Sequence, residues 1–360
     1  MYVKYLNNVR IDIFLCIAVC VVVVSVAAGQ FIRRAITPRR VDVYVCGQFE
    51  SLFGSEIFSA LIMEYEEQNP DLRILIAESE RLSDIVLFDD GEFMELTSVR
   101  AQLLVSFMDL FFYNIDILQG ANRDRPPRTR AEFLAAARAV AGFTVPRATV
   151  PEAGIFPLAL GLDPSDPLAL RREIFPWVWA AGGELLDESG ELSSIAAETI
   201  AFFLQLNREG LVTPGSFEKT GEQRLEEFAQ GSIAMLAASS RDIPFVQRSG
   251  INFGVTAMPQ TSPGGNRLGL SGIYAGISAH SVRQAEAWHF ITFIAEKNQV
   301  LAQVLRAVPG SMLNYPDEYI AEDPYLFRAW DIFEAADIVE HNPADPSTEY
   351  IIREMLEELR

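Results

Sequence analysis

Apolar and polar residues alternate from Val41 to Cys46, and the β-branched content there predicts a strand with one buried face. Gly47-Gln48-Phe49-Glu50 then reads as a loop. Phe58, Leu61, Ile62 and Tyr65 fall at i, i+3, i+4 and i+7, which predicts an amphipathic helix stopped at Asn69-Pro70. Leu72 to Ala77 and Asp84 to Phe88 predict two more strands, the later one ending in the polar turn Asp89-Asp90-Gly91. Strand, helix and strand in alternation predict an α/β fold with a mostly parallel sheet.

The pattern then changes register. An apolar run ending in Phe111, Phe112 and Tyr113 predicts a buried strand, and Asn114 is a turn or cap residue. A polar connection closes with Pro126-Pro127. Thr129 is the expected N-cap of the next helix, with Glu132 completing a capping box. Phe133, Leu134, Ala137 and Val140 carry the helical spacing onward. A helix is predicted from Ser194 through Leu206, ended by Gly210, and a short one through Leu225, Phe228 and Ala229, closed by Gly231. Strands are predicted at Ser232–Ala237, Ile251–Met258 and Gly269–Ala279. Ser281 is expected to cap a helix bearing Trp288, Phe290 and Phe293, and Thr348 to Arg360 is amphipathic.

The first forty residues break this alternation. Lys4 and Arg10 precede an apolar run from Ile11 to Gly29, the layout of a secretory signal. At about twenty residues the run is long for a cleaved signal and near the length that spans a bilayer. It reads as a signal anchor, with cleavage near Gln30 or lipidation at Cys20 as alternatives. Arg33, Arg34, Arg39 and Arg40 follow it, against the positive-inside rule for an exported C-terminus. A chain of 360 residues is long enough for two cores, and its net charge of −20 excludes nucleic acid or an anionic membrane surface as the main partner. Of three cysteines, only Cys46 lies beyond the N-terminal segment, so no disulfide framework is expected there.

Several stretches together resemble family 1 extracellular solute-binding proteins of ABC importers. They are the Tyr113-Asn114 strand end, the proline pair with its Thr129-x-x-Glu132-Phe133 helix start, and the aromatic run Glu173 to Ala181 leading into Gly182-Gly183 and an acidic turn. Gly231-x-x-Ala234-Met235, Phe253-Gly254-Val255 followed by Pro259, the glycine-rich strand from Gly269, and Ala287-Trp288-x-Phe290-Ile291 follow in the family's order. The resemblance implies a two-lobed periplasmic-binding-protein-like α/β fold (type II) with the ligand cleft between the lobes. After a signal segment (1–30) and linker (31–40), it divides the chain into lobe 1 (41–111 and 260–307) and lobe 2 (112–259 and 308–360). Crossings are expected near Phe112, Met258-Pro259 and Val308-Pro309. The family's helix between its second strand and the Asp-Ile-Val strand is missing, as is a longer segment before the Tyr-Asn strand. Lobe 1 is therefore expected to be reduced.

The implied activity is capture of a sugar or oligosaccharide outside the cytoplasm and its delivery, by a monomer, to ABC permease subunits. A membrane-anchored sensor that kept the fold and lost transport is the alternative. Open α/β sheets bind ligands at the carboxyl ends of strands. Phe88, Asp89 and Asp90 occupy such an end, and Gln48 and Glu50 the loop after the first strand. Carboxylates there suit pairs of sugar hydroxyls, although a solvated turn has the same composition. Trp177 and Trp179 lie two apart and cannot share a helix face. Trp177 is expected to stack on a sugar ring, with core packing of both indoles as the alternative. Arg241 and Asp242 follow the Ala-Met strand, in a loop that the resemblance places at the ligand; a surface ion pair is the competing reading. Ser271, Gly272 and Tyr274 lie where a glycine-rich strand lets a ligand approach the backbone, or where packing is tight.

No catalytic role, cofactor or metal is expected. His280, His289 and His341 lack metal-ligand spacing, and no nucleophile elbow, P-loop or dinucleotide fingerprint occurs.

Overall fold

A computed structural model describes residues 40–89, 97–142, 154–166, 169–216, 218–261, 267–309 and 318–339. The chain opens with β1 (Val41–Val45), α1 (Gln48–Phe53) and α2 (Ser55–Gln68). The loop expected after β1 is thus a helix: Phe49 and Phe53 lie i, i+4 apart and are both buried, and Phe49 also stacks on Phe58 at 5.4 Å. Next come β2 (Leu72–Ile76) and β3 (Ile85–Asp89), joined only by a 3-10 turn at Glu80–Leu82. That short connection agrees with the missing helix read from the sequence.

The strand β4 (Thr97–Asn114) runs for 18 residues. Asn114 caps α3 (Ile115–Gly120) by accepting from the Ile117 amide, so part of the expected polar connection is helical. Thr129 caps α4 (Arg130–Ala141) by accepting from the Glu132 amide. Glu132 turns its carboxylate to the Arg128 amide and the Arg125 guanidinium, each at 2.8 Å. Then follow β5 (Phe156–Leu158), α5 (Ala169–Glu173), α6 (Phe175–Ala180), α7 (Ser194–Arg208) and α8 (Gly221–Ala229), the last opened by a full capping box at Thr220 and Gln223. The remaining elements are β6 (Ile233–Ser239), a 3-10 turn (Ser240–Asp242), α9 (Ile243–Ser249), β7 (Phe253–Thr256) and β8 (Arg267–Ser278). They are followed by α10 (Gln284–Glu296), α11 (Asn298–Leu305), β9 (Val308–Pro309), α12 (Glu318–Glu322), α13 (Pro324–Glu334) and β10 (Asp337–Val339). The N-cap of α10 is Arg283 rather than Ser281; the Ser281 hydroxyl accepts from the Arg283 amide at 3.0 Å and donates to the buried Asp84 at 2.8 Å.

The sheet order is β2-β1-β3-β8-β4-β6-β5, with β10 beside β8 and β7 and β9 beside β4. It is mixed rather than mostly parallel. β1 pairs parallel with β2 and β3, but β4 and β8 run antiparallel to each other over much of their length. Both long strands change partners along the way. β4 pairs with β8 as far as Met108↔Leu270 and with β6 from Asp109↔Ser239. β8 pairs with β10 at Arg267–Gly269 before it joins β4 and β3.

Three cores flank this sheet. One joins β1–β3 and the first part of β4 to α2, α10 and α11 through Val43, Tyr65, Leu104, Phe107 and Phe290. The other two lie on opposite faces of the second part of β4, because consecutive strand residues point to opposite sides. Phe111 packs with Phe133, Trp177 and Met235; Phe112 packs with Phe228, Leu236 and Phe253.

Candidate ligand cleft

The partner switch in β4 opens a cavity of about 360 Å³. Phe107 and Asp109 line it from β4, Ser271 and Gly272 from β8, and Ala238, Ser239, Arg241 and Asp242 from the end of β6 and its 3-10 turn. Arg171 and Arg172 enter from α5, and Glu222 and Arg224 from α8. A second cavity of about 370 Å³, lined by Gln48, Ser51, Leu52, Leu87, Phe88, Arg241 and Ile273, adjoins it. Arg241 lines both, and Ile273 follows Gly272 on β8. The two form a cleft with the β1–β3 core on one side and the β6, α5 and α8 elements on the other.

Buried ion pairs build its floor. Arg171 donates from Nη1 to Asp109 at 2.8 Å and from Nη2 to the Leu270 carbonyl at 2.8 Å, and its guanidinium lies 4.6 Å over the Trp179 ring. Burial pushes the Asp109 carboxyl up, and the charge and hydrogen bond of Arg171 oppose that shift. Arg224 pairs with Glu173 and donates to the Ala237 carbonyl. Glu173 is fully buried, and burial drives its pKa up to about 7 against the pull of Arg224 and Arg172. Arg172 pairs with Asp166. At the rim, Arg241 lies 5.4 Å over the Phe107 ring, and Asp242 accepts from the Ser239 amide at 2.9 Å. Planar guanidinium forks beside carboxylates offer donors and acceptors at the spacing of adjacent hydroxyls.

Of the residues singled out in the sequence, the cleft gathers Gln48, Phe88, Arg241, Asp242, Ser271 and Gly272. Tyr274 stands behind them, its ring stacked on Phe88 at 5.5 Å and 6°. Glu50 is exposed on α1 and lines neither cavity, Asp89 contributes the last residue of β3, and Asp90 lies outside the described residues. The tryptophans are a correction. Trp177 and Trp179 are 0% and 1% exposed, and neither lines the cleft. Every residue of α6 is buried, so two indoles on different faces both find core. The sequence reading missed Asp109, Arg171, Arg172 and Arg224. Its available signal was a charged Arg171-Arg172-Glu173 run set between the apolar Leu170 and Ile174.

Gly269 shows how closely the floor is packed. A Cβ there would collide with the Asp109 carboxylate and the Trp179 ring. Gly269→Ala is expected to cost about 1–3 kcal/mol through overpacking. Chemical denaturation would measure this, and an unchanged midpoint would mean that the pocket yields freely.

The family model for bacterial extracellular solute-binding proteins matches residues 103–324. The chain belongs to that family. Solute-binding members of such a family act outside the cytoplasm, and the matched span contains the whole arginine-lined side of the cleft. No curated protein sequence matches the chain. Solved structures share its two-lobed fold. The cyclic α-maltosyl-1,6-maltose binding protein of Arthrobacter globiformis superposes with a TM-score of 0.67 at 18% identity, covering 89% of this chain and 94% of its own. Maltose-bound MalE3 of T. maritima gives 0.63 at 16%, covering 88% and 92%. UgpB of Mycobacterium tuberculosis, in complex with glycerophosphocholine, gives 0.67 at 17%, covering 89% and 92%. Among the described residues no helix is long and apolar enough to cross a membrane, and residues 11–29 lie outside them.

Proposed function

We propose that this solute-binding protein captures a sugar or oligosaccharide in the cleft around Arg241 and presents it to the permease of an ABC importer. The observation that carries this reading is the cleft itself. It lies where β4 changes partners, between two separately cored halves, and polar and charged side chains from both halves converge on it. Such a site suits a hydroxyl-rich ligand held by many hydrogen bonds and trapped by closure of the halves. Maltose, a cyclic maltosyl-maltose and acarbose are bound by proteins of this fold, which supports the sugar assignment. In this reading the crossings expected near Phe112 and Met258-Pro259 move to the Met108–Asp109 and Leu270 levels, lobe 1 comprises 41–108 and 271–307, lobe 2 comprises 109–270 and 308–360, and β4 and β8 form the hinge. The protein works as a monomer, exported and held at the membrane by residues 11–29.

A thermal-shift screen of the full-length protein against mono- and oligosaccharides tests the assignment, because a ligand that binds only the folded state raises the melting temperature. No shift with any saccharide at millimolar concentration would overturn it. Arg241 is exposed, so Arg241→Ala is expected to leave melting of the free protein unchanged. It should weaken the saccharide that scores in the screen by about tenfold or more, the value of a hydrogen bond to a charged group. Calorimetric titration would measure the loss, and wild-type affinity in the variant would remove Arg241 from the site.

A further inference from the structure

The cleft floor and the crossing strands share one residue. Met108 and Leu270 face each other where β4 and β8 last pair, and Asp109 is the first residue of β4 to pair with β6. Arg171 reaches this point from α5, an element packed into the second half through the buried Leu170 and Ile174. One guanidinium grips both strands there: Nη1 holds the Asp109 carboxylate and Nη2 the Leu270 carbonyl, each at 2.8 Å. The Arg171 side chain is 5% exposed and that of Asp109 8%. Trp179 supports one face of the guanidinium, and the missing Cβ of Gly269 leaves space for the Asp109 carboxylate and that indole. The Met108 amide is also held, by the buried Ser240 hydroxyl at 3.0 Å.

We propose that Arg171 is a positioning residue of the hinge: it pins both crossing strands to the second lobe at the Met108–Leu270 level, so that the lobes rotate only on the first-lobe side of that point. A planar fork held at two fixed acceptors and backed by a ring has one orientation, so two strands bonded to it cannot shear past each other. Beyond the pin, β4 enters the first core through Phe107, Val105 and Leu104, so the bend falls between that core and Met108. Because Arg171 also lines the cleft, its position fixes the floor against which any ligand is received. The inference rests on the two-lobed fold and needs no ligand, so it stands or falls apart from the sugar assignment.

The test measures distance between lobes in the ligand-free, full-length protein. Glu67 on α2 and Asn207 on α7 are both exposed. Glu67→Cys and Asn207→Cys, in a background carrying Cys16→Ser, Cys20→Ser and Cys46→Ser, accept spin labels for pulsed dipolar spectroscopy. Arg171→Met removes both bonds. Arg171→Lys keeps a cation for Asp109 but cannot span to the Leu270 carbonyl as well, so it stays folded without the fork. Both variants are expected to broaden the interlobe distance distribution roughly twofold relative to the Arg171 protein, as a hinge gains freedom. Circular dichroism melts run alongside. If Arg171→Met does not fold, Arg171→Lys decides alone. A lysine variant that melts early with an unbroadened distribution overturns the proposal, because Arg171 would then stabilise lobe 2 without setting the hinge.

Discussion

Trp177→Ala is expected to destabilise the protein by about 3–5 kcal/mol, the cost of emptying a fully buried aromatic site. The indole has no exposed surface. Phe111, Phe133 and Phe203 meet it nearly edge-on at 5.6, 5.1 and 5.6 Å, so its removal strips partners from a strand and two helices at once. Arg130 lies beside it, donating to the Trp177 carbonyl at 2.6 Å and to the Thr199 hydroxyl at 2.8 Å. Partial burial lowers the Arg130 pKa to about 10, and a collapsed neighbour would disturb that half-buried cation too. The measurement is urea denaturation of the variant beside the wild type, with saccharide binding measured on whatever remains folded. Early unfolding with normal affinity in the folded fraction is the core outcome. A variant that keeps wild-type stability while losing affinity would return Trp177 to the ligand.

Arg224→Ala is expected to be the most pH-sensitive lesion, its cost growing by about 1.4 kcal/mol from pH 5 to pH 8, the most that a carboxyl with a folded pKa of about 7 can contribute one pH unit above it. Glu173 is fully buried, and its folded pKa of about 7 stands above the ordinary 4.5. A carboxyl with a raised folded pKa binds more protons when folded, so its contribution to stability is fully present below about pH 4.5 and is lost as pH rises through about 7. Arg224 limits that loss by favouring the carboxylate. Without it the folded pKa climbs further, and folding at pH 8 requires either proton uptake or a less compensated buried anion. Melting temperatures of both proteins from pH 5 to 8 would show the gap widening. A gap constant across that range would mean that Arg224 acts through packing and its bond to the Ala237 carbonyl.

These two sites mark where sequence reasoning reached and where it stopped. The aromatic run before Gly182-Gly183 makes Trp177 stand out in the sequence. Its role turned on whether α6 has an exposed face, which six residues of uniformly apolar sequence do not reveal. Arg224 was passed over because a lone arginine in a helix of mixed charge looks like solvated surface. It is 1% exposed because β6 and α5 close over it. Gln48, Phe88, Arg241, Asp242, Ser271 and Gly272, singled out from a strand end, the loops after strands and a glycine-rich strand, line the two adjoining cavities. Glu50 shares its helix with Gln48 but lines neither cavity.

Several elements and their ends are legible in local sequence alone. The alternation of β1, the spacing of Phe58, Leu61 and Tyr65, and the caps at Asn114 and Thr129 depend on partners within a few residues, where the chain's own period and local hydrogen bonds decide. The buried charges of the cleft floor depend on long-range pairing. Arg171 meets Asp109 and Leu270 from 62 and 99 residues away, across an antiparallel pairing of β4 and β8 that no local pattern encodes. A charge tolerates burial only where a partner and a packed ring are waiting, and that condition exists only once the long strands have crossed.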